Sequence, residues 1–157
     1  MPFKLIDSKL INQTTKQAHT SPRRRAHSRF HDYKDPVQRM VNVYMKDAYI
    51  QPHRHHNPDK VEVFLSLKGK FLALSFDDRG NIIDHLVFGE NEDVCGIEVP
   101  PGLWHAFWAL ADDSVIYEVI EGPYDPKTHK KFAPWAPKEQ EKEKARKYMS
   151  DIKKKYL

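Results

Sequence analysis

Between Pro52 and Gly69 the chain reads PHRHHNPDKVEVFLSLKG, and between Pro100 and His105 it reads PPGLWH. His53 and His55 stand one residue apart, Glu62 follows a turn-prone Asn57-Pro58-Asp59, and His105 follows a rigid Pro-Pro-Gly. Residues two apart on a strand share a face, so His53 and His55 can grip one ion together, while His56 falls on the other face. The turn is expected to return Glu62 antiparallel beside the two histidines. Three imidazoles and one carboxylate suit a divalent transition metal (Fe, Mn, Co, Ni or Zn) and disfavour Ca and Mg, which prefer oxygen ligands. Four protein ligands around an octahedral metal leave two positions for water or substrate, as a catalytic site requires.

These residues need strands to position them. From Arg39 onward the hydrophobic period becomes two, and seven short runs recur: RMVNVYM, KVEVFLSL, KFLALSF, NIIDHLVF, VCGIEV, WHAFWAL and SVIYEVIE. Turn chemistry separates them, which argues for an all-β antiparallel sandwich or barrel. In the second run Val61, Val63, Leu65 and Leu67 share one face and Glu62, Phe64 and Ser66 the other, and both faces read as buried. An ionised Glu62 is costly there unless paired or bound to a metal. Before the strands, Ser8 is expected to cap a helix reaching about Ala18, with Leu5, Ile6, Leu10 and Ile11 as its apolar face. After Glu121, four prolines forbid regular structure, and Tyr124, Phe132 and Trp135 are expected to anchor a long strap over the sheet. Residues 1–20 thus form a helical segment, 21–137 the β domain, and 138–157 a charged helix or tail.

The chain of 157 residues suffices for a core without disulfides, and 39% hydrophobic with 31% charged residues marks a globular protein. Its one cysteine, Cys95, excludes an intramolecular disulfide and reads as a small core residue of an apolar strand. No apolar run has the length of a signal peptide core or a membrane span, so no membrane association and a cytoplasmic location are expected. From Lys138 to Leu157, eight basic residues face four acidic ones, an excess equal to the net charge of +4 for the whole chain. No aromatic-and-basic stripe accompanies it, so the segment reads as a solvated surface helix and no nucleic acid partner is expected.

A second chemical feature precedes the strands. SPRRRAHSRFH carries Arg23, Arg24 and Arg25, then His27 and His31. Guanidinium forks match carboxylate or phosphate oxygens, but adjacent arginines in an extended segment point to opposite faces, so only some serve one site. Arg23, Arg25, His27, Arg39, Tyr44 and Tyr117 are the candidate contacts to a small-molecule ligand. Trp104 and Trp108 are further aromatic candidates, and Glu118 or His27 can act in acid–base transfer. An exposed edge strand or the N-terminal segment invites pairing into a homodimer.

The spacing of His53-x-His55, Glu62, six residues, Gly69, and of Pro100-x-Gly102, two residues, His105, resembles the two motifs of the cupin superfamily. The resemblance implies His53, His55, Glu62 and His105 as metal ligands and Gly69 and Gly102 as turn glycines. Two departures are a gap of six residues between His55 and Glu62, and Ala109 where asparagine often stands. The order SPRRRAHSRFH, DPVQRM, PHRH, SFDDRGN, EVPPGLWHAF, EVIEGPYDP and FAPWAPKE, from residue 21 to 139, resembles the WbuC family of cupin-fold metalloproteins, found with bacterial surface-polysaccharide genes. That implies a single cupin-type barrel (jelly roll, or double-stranded β-helix) with short terminal helices and one bound metal. The resemblance supplies no reaction; the open metal positions and the arginines themselves fit action on a small anionic or sugar-derived molecule, as a metal-dependent lyase, isomerase or oxygenase. A non-catalytic sugar or nucleotide-sugar binding module is the alternative, as is a metal-free sugar-nucleotide isomerase or epimerase.

Overall fold

The computed structural model describes residues 2–157. Among them ten strands form two five-stranded antiparallel sheets, with a helix at each end of the chain. The strands are β1 (Arg25–Arg29), β2 (Val37–Tyr44), β3 (His53–Arg54), β4 (Glu62–Lys68), β5 (Lys70–Phe76), β6 (Ile82–Gly89), β7 (Gly96–Val99), β8 (Trp104–Ala109), β9 (Ser114–Glu121) and β10 (Lys131–Phe132). The first sheet runs β1-β2-β9-β4-β7 and the second β10-β3-β8-β5-β6. All seven expected runs are strands. β1 was read from sequence as a basic segment, and β3 and β10 are two residues each, too short to show a period.

The sheets meet through aromatic side chains of alternate residues. Phe64 of β4 packs on Phe107 of β8 with ring centroids 4.3 Å apart, and Tyr44 of β2 meets Phe107 edge-on at 5.5 Å. Both faces of β8 are buried: His105 and Phe107 point between the sheets, while Trp104 and Trp108 point outward under Trp135 and Tyr148. Helix α2 (Lys142–Tyr156) therefore carries more than charge. Ala145 and Met149 are buried against this outer face, with Tyr148, Ile152 and Tyr156 beside them. The tail read as solvated is a docked amphipathic helix.

Helix α1 (Ser8–Thr20) covers the outer face of the first sheet, where Leu10, Ile11 and Ala18 pack with Val41, Val43 and Val115. Its cap is Asp7, not Ser8: the Asp7 carboxylate accepts from the Leu10 N–H at 2.8 Å. Leu5 and Ile6 precede the helix and are exposed, so they are not part of its apolar face. α1 does not extend over β4, and Leu65 and Leu67 are 43% and 45% exposed, so burial is deep only at Glu62 and Phe64 on the other face of that strand. Cys95 is exposed just before β7 rather than a core residue. In the strap, Trp135 packs on Phe76 at 4.9 Å and Tyr124 stacks on Tyr33 at 4.8 Å, whereas Phe132 is exposed in β10.

Candidate metal centre

His53 and His105 are directly opposed partners of β3 and β8, so their side chains leave the second sheet on the same face, with ring centroids 4.5 Å apart. His55 lies just past β3, where its carbonyl accepts from the Gly102 N–H at 3.0 Å. The Pro-Pro-Gly turn and the H-x-H segment are thereby tied to each other. Glu62 comes from the opposite sheet. It begins β4 and pairs with Val99 and Ile120. The turn after His56 carries the chain across the core instead of returning it beside β3, and the cluster closes from both sheets.

All four residues are buried, and one donor atom from each lies within 4.8 Å of the others. Each imidazole uses Nδ1 to donate to a backbone carbonyl: His53 to Gln51 at 2.9 Å, His55 to His129 at 2.6 Å, and His105 to Leu103 at 2.9 Å. A carbonyl only accepts, so in the neutral rings the proton sits on Nδ1 and the Nε2 lone pair is free to bind a metal. Nε2 of His53 has no hydrogen-bond partner. Burial, then the charges of Lys130 and His105, hold the His53 pKa well below the usual histidine range.

The Glu62 Oε2 lies 3.0 Å from His55 Nε2 and 3.1 Å from His105 Nε2. Lone-pair atoms this close attract only through a proton or a cation between them. The spacing of about 3 Å suits donors that would share one transition metal. Burial raises the Glu62 carboxyl, but when the His105 and His55 rings are doubly protonated their Nε2–H groups donate to it, outweigh burial and hold it well below the usual range. The donor set, the free Nε2 and the spacing fit a transition metal, for which N₃O₁ ligation is suitable. His56 is exposed and pairs with Asp59 at 3.1 Å, outside the cluster.

Beside the cluster lies a cavity of about 590 Å³. Arg23, Arg25, His27 and Tyr44 line it, as does Glu118. Arg39 and Tyr117 do not: they lie on the other face of the first sheet. Arg39 donates to the Phe30 carbonyl at 3.1 Å, and Tyr117 packs edge-on against Phe30 under α1. Alternation puts Asn42 and Tyr44 of β2, with Glu118 of β9, on the inner face, so the neighbouring odd positions point away. Trp104 and Trp108 also face outward, away from the cavity. Arg24, at φ 57°, turns away to Asp47 at 2.9 Å, as expected for adjacent arginines.

Three residues were not assigned to the site from the sequence, Phe132 having been read only as an anchor of the strap. His129 from the strap packs its ring against His55 at 5.0 Å, and its buried Nδ1 has no partner. Burial, Lys130 and His55 lower its pKa to about 3. Phe132, directly opposite His53 in β10, closes the other side. Asn42 donates to Glu118 at 2.9 Å. Burial, then the charge of Glu62, raises the Glu118 pKa above the usual carboxylate range.

The two sheets with this inner cluster define a cupin fold, and solved structures bear this out. Similar chains include the capsular polysaccharide assembling protein CapF from Staphylococcus aureus (20% identity, TM-score 0.56), over 72% of this chain and 30% of CapF. Others are KdgF from Halomonas sp. (16%, TM-score 0.50, over 69% of this chain and 86% of that one) and oxalate oxidase in complex with glycolate (16%, TM-score 0.53, over 73% and 58%). This chain thus spans less than a third of the length of CapF. The model of a family described as a domain of unknown function, DUF6016, matches residues 6–88, just over half of the chain, and the chain belongs to that family. No curated protein matches it significantly. Among the described residues no helix is long and apolar enough to cross a membrane.

Proposed function

We propose that this chain is a metal-binding cupin of the WbuC type that acts on a small anionic, sugar-derived molecule in bacterial surface-polysaccharide metabolism. The observation that carries the reading is the commitment of all three Nδ1 atoms to backbone carbonyls, which aims three imidazole lone pairs and the Glu62 carboxylate at one buried point. His53, His55, Glu62 and His105 would hold one divalent transition metal. When bound, it would supply Lewis-acid polarisation of a ligand oxygen.

The protein groups around it support an anionic ligand. Arg25 lines the cavity with its side chain 15% exposed and already holds the Glu139 carboxylate there, a place that a ligand carboxylate or phosphate would take. Glu118, held by Asn42, and the Tyr44 phenol, which burial keeps protonated, face the ligand space. The relatives by fold point the same way: CapF is named for capsular polysaccharide assembly, and oxalate oxidase holds glycolate, a small hydroxy acid.

The test is to load the protein with Co(II) and follow its visible absorption while adding glycolate, galacturonate and sugar phosphates. The reading expects a saturable spectral change with at least one of them. Arg25→Ala is expected to weaken it about tenfold, the value of one charge-assisted hydrogen bond. A metal-loaded protein whose spectrum none of these anions alters would contradict it.

A further inference from the structure

A second cavity of about 570 Å³ lies against the first, on the far side of the bridge that Glu139 makes to Arg23 and Arg25. Its wall carries six cations: Arg23, Arg24, Arg25, Lys138, Lys142 and Arg146. Only two carboxylates, Asp47 and Glu139, face them, which leaves a surplus of four positive charges. Both are already engaged, Asp47 by Arg24 and Glu139 by Arg23 and Arg25. Among the described residues no carboxylate pairs with Lys138, Lys142 or Arg146. Lys142 and Arg146 stand one turn apart on α2, where like charges repel.

Gathering cations in one concavity costs free energy that a bound polyanion recovers. The cleft has the size of a small-molecule site. Phe132, 51% exposed, sits on the rim common to both cavities, together with Arg23, Arg25 and Glu139. Burial raises the Glu139 carboxyl, but the charges and hydrogen bonds of Arg25 and Arg23 outweigh it and hold it below the ordinary range. It is an internal anion occupying the place of an external one.

We propose that this cleft binds the phosphate groups of a phosphorylated ligand, and that Glu139 is a built-in counterion which the phosphate displaces from Arg23 and Arg25. One ligand would then span both cavities, its phosphate in the cleft and the remainder toward the metal. That spanning rests on the proposed function, whereas the phosphate site stands without it.

The experiment is calorimetric titration of the full chain with inorganic diphosphate, in the wild type and in a His53→Ala/His105→Ala variant. The proposal expects one diphosphate per chain with the same affinity in both, because the cleft is separate from the metal ligands. Lys142→Glu with Arg146→Glu, both exposed on α2, should weaken binding by about tenfold or more. Glu139→Gln, which keeps the shape and removes the charge, should tighten it several-fold. No binding, binding lost with the histidines, binding indifferent to the α2 reversals, or weaker binding to Glu139→Gln would each overturn the proposal. Binding in the histidine variant also separates this result from failure of the metal reading.

Discussion

Gly69 and Gly102 share a φ of +76° but not their surroundings. A Cβ at Gly69 would lie 2.4 Å from Ser114 Oγ and 3.0 Å from its Cβ, whereas one at Gly102 would meet nothing within 4 Å. Gly69→Ala should therefore cost at least about 2 kcal/mol in urea unfolding, and Gly102→Ala only the backbone penalty of about 1 kcal/mol. Equal costs would show that the Ser114 contact does not matter. Both glycines were legible only through the family resemblance, which implies a turn glycine at each position. The convergence of His53, His55 and His105 was legible too, since spacing and strand parity decide which side chains can meet. Arg39 and Tyr117 were misplaced because β2 and β9 carry apolar residues on both faces, and alternation alone does not tell which parity points inward. His129 gave no signal at all. It lies in a strap with no period, and only the fold brings it to His55.

Helix α2 shows how composition misleads at the scale of an element. Its lysines dominate the count, yet Ala145, Tyr148, Met149, Ile152 and Tyr156 recur at helical spacing and lie on the core. Met149 is 4% exposed, so Met149→Ala should destabilise the protein by about 2–4 kcal/mol in chemical unfolding. Lys147→Ala, on the solvent side, should change stability by less than about 0.5 kcal/mol. Similar effects for the two would restore the reading of a solvated tail. β1 was hidden in the same way, by arginines that make it read as a basic segment although His27 and Arg25 alternate with Ala26 along a paired strand.

For the whole molecule, the histidine–glutamate cluster is a point where the two sheets are joined by polar groups: Glu62 from one, His53 and His105 from the other. The all-β antiparallel architecture was legible from seven alternating runs and their turns. Which strands pair was not, because register and sheet membership depend on contacts distant in sequence. Hence the chain turning after His56 crosses to the first sheet, where a local hairpin was expected. The most direct test is elemental mass spectrometry on tag-free protein beside a His53→Ala/His105→Ala variant that still folds. About one transition metal per chain, lost in the variant, is the predicted result for four neutral-nitrogen and carboxylate donors at one point. Wild-type protein that stays metal-free after supplementation with Fe, Mn, Co, Ni and Zn would contradict the account and leave the histidines as proton-transfer or packing groups.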